Sequence, residues 1–573
     1  MGTISDKLMR IINTKEDIRQ ALISKGYDVP TSIPFKEYAK MILDLPCKVD
    51  SFPDIEGIVA RYSASGLTNE QMTANPVWVD KTGNGHDLQL KNFAWKGMSG
   101  VGGYVADIDE WGTNSTAAYF ERNSIKITAT FKENVSLGLL YHNIKLRQSC
   151  VLKVTGIPEG CDAFLDDRLG NRFYMSEDGV YEIIPSNFLA EALYFSIEKY
   201  PERWYGSKLT IEQLPLYPGA LVFDGVDDYG VCDNFPILTK EKGYTVVVLR
   251  QWITYNPNAI SAIATNASDR SFNGAFTFEN YNKGAEQTIS YGATQISLQY
   301  SKSPFSWQTT SKYNGFNITN GNKDATNSLV LGRSYPQRNE FANFAIWELV
   351  FLDHDATEEE LTKIKDYFVK TYPWLFPDQA WTVVGKTNED EDRATIANIT
   401  GNGNDLVLSN FGFAEGSGYN EEGEYAGYLV TDGVDDKIIS SIFKMGNDWT
   451  VIGDWELINT GKNDNAGIVK FDSIVIYNYN SMLINIKNGR NILIPDQNTV
   501  NAICSDGRIY SKDWKESIYN EETESTSKNF LTIGYSGNAY TKIAFKNLAI
   551  YPTVLSREDC IKAYNYLQTL KAK

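Results

Sequence analysis

Apolar and polar residues alternate with a period of two along most of this chain. Runs rich in Val, Ile, Thr and Tyr are separated by clusters of Asn, Gly and Asp, the pattern of short strands with one buried face. Between residues 106 and 216 such runs fall at 124–131, 136–141, 151–154, 180–184, 192–197 and 208–214. Beyond them, strands are predicted at 220–223, 244–249, 275–278, 328–331 and 345–352. The period changes in three places. Thr357 is a predicted N-cap, followed by Glu358, Glu359 and Glu360 against the helix dipole and by Leu361, Ile364, Tyr367 and Phe368 on one face. An equivalent helix is predicted at 556–570. The first 48 residues carry short helical stripes: Ile4, Leu8, Ile11 and Ile12; then, after the candidate cap Thr14, Ile18, Ala21, Leu22 and Ile23; then, after Pro34, Tyr38, Ala39, Ile42 and Leu43. So short a helical unit buries too little apolar surface to stand alone, which predicts a docking or oligomerisation piece.

Part of the pattern is written twice. Thr82-Gly83-Asn84-Gly85-His86-Asp87-Leu88 and, later, Asp224-Gly225-Val226-Asp227-Asp228 recur as Thr400-Gly401-Asn402-Gly403-Asn404-Asp405-Leu406 and Asp432-Gly433-Val434-Asp435-Asp436. The flanking segments match in the same order. Gly66-Leu67-Thr68-Asn69-Glu70 answers Gly385-Lys386-Thr387-Asn388-Glu389, and Leu90-Lys91-Asn92-Phe93 answers Leu408-Ser409-Asn410-Phe411. The spacing differs: Gly83 and Asp224 are 141 residues apart, Gly401 and Asp432 only 31. The first copy therefore carries about 110 extra residues, the size of a small domain. An insertion into a surface loop explains it, because extra loop length costs little closure entropy. The chain divides into a helical segment 1–48, a first module in two parts (49–105 and 217–377), an inserted β-domain 106–216, and a second module 378–573.

Composition narrows the function. The 573 residues are 42% hydrophobic and 13% aromatic, enough to fill several cores. A net charge of −18 argues against nucleic acid, since phosphate binding needs clustered Lys and Arg. Cys47, Cys150, Cys161, Cys232, Cys504 and Cys560 are scattered and indicate neither zinc nor a disulfide framework. Cys560 stands where the first copy has Leu361, the place of a small buried hydrophobe. No apolar run approaches the ~18 residues of a membrane span, and residues 1–17 contain no leader-like apolar core. The expectation is a protein made in a cytosol that leaves the cell by a route other than its own leader.

Ala220-Leu221-Val222-Phe223-Asp224-Gly225-Val226-Asp227-Asp228-Tyr229, the late Leu331-Gly332 and the closing strand and helix together resemble the laminin-G-like/concanavalin-like jelly roll. The second copy follows the pattern more loosely, with Thr431 for the phenylalanine and Lys437 for the tyrosine. The resemblance implies a mainly β fold: two jelly-roll sandwiches, the first interrupted by a small β-sandwich, behind a short helical segment. The words GxTN, TGNGxDL and NF, with residues 14–42, resemble structural proteins from tailed phages of gut Bacteroidales, including crAss-like phages. That resemblance implies a virion protein, a head or tail fibre or appendage. Residues 1–48 would attach it to other virion proteins, β-domains would project outward, and a homotrimer is expected.

The candidate chemistry is sparse. His86, His142 and His354 have no counterparts in the other copy, which excludes a histidine site shared by the copies. The residues Asp224, Asp227, Asp228, Asp432, Asp435 and Asp436 are the candidate metal ligands, with Ca²⁺ as the ion, because clustered carboxylates at a turn are hard oxygen donors. The competing reading, preferred here, is a tight turn in which Asp bonds nearby N–H groups and Gly supplies φ > 0. Thr-Gly-Asn-Gly lacks the Lys-Ser/Thr ending of a phosphate loop and reads as a turn before a strand. Loop aromatics are candidates for stacking on sugars: Trp252, Tyr255, Tyr281, Tyr291 and Trp307 in the first copy, Tyr477, Tyr479, Tyr510 and Trp514 in the second. No Glu-x-Asp-x-x-Glu strand signature is present, and the copies share no residue set beyond turn-like Asp and Gly, so the chain is expected not to be an enzyme. The function expected is adhesion to host-surface or mucus glycans. A purely architectural virion role and a glycan-degrading enzyme are the alternatives.

Overall fold

A computed structural model describes Lys15 and, with gaps, residues 52–572; the longest gaps are 266–276, 281–296, 303–315 and 519–530. The helical stripes expected in residues 1–48 lie outside the described residues, apart from Lys15 in a helix. Two compact units divide the chain, Met1–Asp54 and Ile55–Lys573. The second unit is mainly β and is built of antiparallel sheets; among the described residues its larger apolar cores lie in the first module, the inserted domain and the second module.

The first module pairs a 6-stranded sheet with a 7-stranded one. In the 6-stranded sheet the order is Ser297–Lys302, Thr245–Thr254, Asn343–Leu352, Leu221–Asp224 and Gly100–Val101, with Ile58–Ser63 also paired to Asn343–Leu352. The facing sheet begins Val77–Trp78, Leu88–Lys91, Tyr229–Cys232, Leu329–Leu331 and Ser261–Thr265. The second module repeats both orders. Val500–Cys504, Thr450–Leu457, Ile543–Tyr551, Leu429–Val430 and Gly418–Tyr419 form one sheet, with Gln379–Thr382 on the strand Ile543–Tyr551. Thr395–Ile396, Leu406–Ser409, Lys437–Ser440, Leu531–Ile533 and Gly467–Phe471 open the other. The duplication seen in the sequence is a duplication of strand order.

Between Gly100–Val101 and Leu221–Asp224, neighbours in the first module's sheet, the chain leaves to build the inserted sandwich. Its two 5-stranded sheets enclose Ile127, Phe131, Leu152, Leu165, Trp204 and Ile211. Every run predicted there is a strand, for instance Lys126–Phe131 and Lys208–Gln213. The strands Ala118–Arg122, Asp162–Asp166 and Arg172–Met175 are additional to the sequence expectation.

The last long strand of the first module is buried at nearly every position, so both of its faces are covered. A helix at Glu358–Thr371 follows it. Thr357 and Glu360 form a reciprocal capping box, each side chain accepting the other's backbone N–H, and Leu361, Ile364, Tyr367 and Phe368 are the buried face. Ser556 caps the equivalent helix Arg557–Leu567, in which Cys560 is fully buried. A short helix Pro373–Leu375 joins the modules, and the second module's closing region packs on it. Tyr551 donates to the Trp374 carbonyl at 3.0 Å, and the Lys562 ammonium lies 4.4 Å from the Trp374 ring centroid. Asn565 donates to the carbonyl of Pro215 at 3.4 Å. No helix among the described residues is long and apolar enough to cross a membrane.

Candidate functional site

The repeated segments fold into repeated hydrogen-bond networks. In the first module the Asp224 carboxylate turns back on its own loop, its Oδ1 accepting from the N–H of Val226 at 2.7 Å and of Asp227 at 3.3 Å. Gly225 between them has φ +77°, and a Cβ there would lie 2.7 Å from Cβ of Asn343, so glycine is required. Asp228 is fully buried. One of its oxygens accepts from the Asp224 N–H at 3.0 Å and the other from the Ser99 hydroxyl at 3.0 Å. Ser99 Oγ accepts in turn from the Ala94 N–H at 2.8 Å, and Asn92, at φ +67°, donates to the Asp227 carbonyl at 3.1 Å.

The second module copies this atom for atom. Asp432 Oδ1 accepts from Val434 at 2.7 Å and from Asp435 at 3.2 Å, while Asp436 accepts from the Asp432 N–H at 2.7 Å and from the Ser417 hydroxyl at 3.1 Å. Ser417 accepts from the Gly412 N–H at 2.8 Å, and Asn410 donates to the Asp435 carbonyl at 2.9 Å. Ser99 and Ser417, which no repeated segment of the sequence singled out, are the hubs of the two networks. Their signal was a serine immediately before Gly100 and Gly418 in both copies.

All six candidate metal ligands are thus placed in two triads, each with one oxygen per residue within 4.8 Å of the others. What points at these oxygens is chiefly N–H and O–H. A calcium site needs 6–8 oxygen donors converging on one point, and carbonyls rather than N–H groups should face it. Burial also raises Asp228 to about 7 and Asp436 to about 6, with the neighbouring aspartates adding to the rise in each case. The arrangement suits a turn that satisfies its own backbone.

The other repeated segments do related work. Asp80 Oδ1 accepts from the N–H groups of Arg61 and Thr82, both at 3.0 Å, and Asp87 accepts from the Asp80 N–H at 2.8 Å. Asn398 and Asp405 reproduce this in the second module. Thr-Gly-Asn-Gly is therefore a fastened turn leading into the strands Leu88–Lys91 and Leu406–Ser409. Of the histidines, His354 sits between Asp353 at 3.3 Å and Glu360 at 3.2 Å, at the start of the closing helix. The backbone carbonyl of His86 accepts from the Tyr62 hydroxyl. His142 lies on the strand Gly138–Ile144 of the insert.

The loop aromatics divide. Tyr510 and Trp514 are buried, Trp514 edge-on to Tyr564 at 5.6 Å, so they are core residues. Trp252 and Tyr477 lie on strands, their side chains outside the described residues, as are Tyr255, Tyr281, Tyr291, Trp307 and Tyr479.

No protein-family model matches the chain, and no curated protein sequence does. Among solved structures, the Trypanosoma rangeli sialidase in complex with sialic acid is similar at 9% identity and a TM-score of 0.23, over 79% of this chain and 84% of that one. An HCR/D mutant is similar at 9% identity and a TM-score of 0.20, over 60% of this chain and 90% of that one. The sialidase likenesses overturn the expectation that the chain is no enzyme, though a score this low puts no activity in its place. That expectation rested on the missing Glu-x-Asp-x-x-Glu signature, which bears on one kind of site, and on the copies sharing no catalytic residue set, which bears only on a site present in both. A site confined to one module or to the insert would leave no trace in the repeat.

Proposed function

We propose that the protein is a structural component of a phage particle, a fibre-like appendage of head or tail that presents its β-domains to host-surface or mucus glycans. Residues 1–48 attach it to other virion proteins, and it assembles as a homotrimer. The sequence resemblance supports the virion part of this reading.

The observation that supports presentation is how the repeated residues are used. In both modules they hold loop backbone in place, through the Asp228 and Asp436 turns and the Ser99 and Ser417 hubs. A framework that fixes loops before contact lowers the ordering cost of binding, which favours recognition by a rigid surface.

Two measurements test the proposal. Purified particles are labelled with antibody against residues 378–573 and imaged, and a chain lacking residues 1–48 is scored for incorporation. Label on an appendage of the full-length particle, absent for the truncated chain, is expected. Incorporation of the truncated chain would remove the attachment role from residues 1–48. The full chain is separately tested for retention on immobilised mucin and host-surface polysaccharide. Particles that carry the protein while the chain binds no glycan would leave the architectural role in place of adhesion.

A further inference from the structure

Every large aromatic side chain that is strongly exposed among the described residues lies in the insert: Tyr119 at 67%, Tyr174 at 46%, Tyr200 at 48% and Tyr205 at 53%. Among the described residues of the two modules, the large apolar side chains exposed to a comparable extent are valines, Val79, Val226, Val407 and Val434. Among the described residues, one of the insert's tyrosines belongs to a built cluster.

Strands Asp162–Asp166 and Arg172–Met175 pair in register, Phe164 opposite Tyr174 and Asp166 opposite Arg172. Ala163, Leu165 and Met175 point into the insert's core, so strand alternation sends Phe164, Asp166, Arg172 and Tyr174 to the outer face together. The Phe164 and Tyr174 rings lie 5.4 Å apart at 38°. The Arg172 guanidinium sits 4.8 Å from the Phe164 centroid, donates to Asp166 Oδ2 at 3.0 Å and reaches the Tyr174 hydroxyl at 3.4 Å. Phe164 is the buried floor of this cluster and Tyr174 its open ring.

We propose that this outer face of the inserted domain is a glycan-contact surface for neutral pyranose rings. The proposal rests on the adhesion reading above and moves its site from the jelly-roll loops to the insert. A pyranose presents an apolar C–H face, which the Tyr174 ring can carry, and hydroxyls that both donate and accept. A guanidinium only donates and a carboxylate only accepts, so Arg172 and Asp166 side by side match hydroxyl groups in both senses. An anionic ligand would instead meet the Asp166 carboxylate and the chain's net charge of −18. Tyr119, on the other sheet of the same sandwich, is the internal control, because it lies off this face, with the Lys132 ammonium 4.2 Å from its ring centroid.

The full-length chain is run by affinity electrophoresis through gels containing mannan, galactan or mixed-linkage β-glucan. At least one polysaccharide is expected to retard it, with Tyr174→Ser weakening that affinity about tenfold or more, the loss expected of an aromatic anchor, and Tyr119→Ser leaving it unchanged. Far-UV circular dichroism and melting temperature check folding. Should Tyr174→Ser misfold, Arg172→Gln on the same surface is read in its place, with the same expected loss. Retardation of the wild-type chain that neither variant reduces would overturn the insert site while leaving adhesion standing. Failure of the wild-type chain to respond to any of the three overturns this proposal; if it also binds no mucin, the adhesion reading falls with it.

Discussion

Asn69 holds Val101 by both backbone groups, its Oδ1 accepting the Val101 N–H at 2.8 Å and its Nδ2 donating to the Val101 carbonyl at 3.3 Å. Asn388 holds Tyr419 in the same way, at 2.8 Å for each bond. The asparagine of the GxTN segment is thus a clamp on the short strand at the sheet's edge. A Cβ on Gly100 would fall 2.6 Å from Asn69 Oδ1, and one on Gly418 2.5 Å from Asn388 Oδ1, so each clamp requires its glycine.

Asn69→Ala leaves a buried donor and a buried acceptor without partners and should cost about 2–4 kcal/mol of stability. Chemical denaturation followed by tryptophan fluorescence reads this. A midpoint equal to that of the wild type would show that the clamp is dispensable.

Arg61 and Glu348 form a buried pair 287 residues apart in sequence, with Nε to Oε2 at 3.3 Å, joined by Tyr372 to Glu348 at 2.9 Å. Burial pushes Glu348 up to about 6 even though the Arg61 guanidinium pulls it down. By strand register the second module has Ala380 and Asn547 at these places. Arg61→Ala alone should cost about 3–5 kcal/mol, because it strands a buried carboxyl. Adding Glu348→Asn, the second module's combination, should recover part of that loss in a double-mutant cycle. Additive losses would mean that the pair is not coupled.

Asp228, raised to about 7 from an ordinary 3.8, binds its proton more tightly in the folded chain than in the unfolded one. Its contribution to stability is complete below pH 4 and is lost as pH rises through about 7. Asp436 adds a smaller effect of the same sign, ending near 6. Asp228→Asn should therefore show a smaller fall in melting temperature than the wild type between pH 5 and pH 8. Parallel profiles for the two proteins would refute this.

Millimolar calcium at pH 7.5, compared with a chelator, is expected to leave the melting temperature unchanged, because the turns are held by N–H and O–H donors. A rise with calcium that is lost in Asp224→Asn and Asp432→Asn would show the triads binding the ion instead, with stabilisation following its occupancy.

Residues 82–88 and 224–228 were legible as turns because turn chemistry is local: Asp and Gly bond or bend the backbone within a few residues of themselves. Residues 66–70 and 92–93 were legible only as repeats, since the bonds of Asn69 to Val101 and of Asn92 to Asp227 span 32 and 135 residues. The capping box at Thr357 and Glu360 was legible because its bonds, too, are local. The strands Asp162–Asp166 and Arg172–Met175 were not, although Asp-Ala-Phe-Leu-Asp and Arg-Phe-Tyr-Met carry some alternation. They are short, and their partly covered outer face gives Phe164 the look of a core residue.

The sequence by itself determined the mainly β class, the duplication and the inserted length, since strand period, turn residues and spacing are properties of neighbours along the chain. Tertiary structure decided which side of each strand is covered. It buried Tyr510 and Trp514, brought Arg61 to Glu348, set Ser99 under Asp228 and left Tyr174 open beside Arg172. Alternation assigns a residue to a face, but only the packing of distant segments decides whether that face meets a core or solvent.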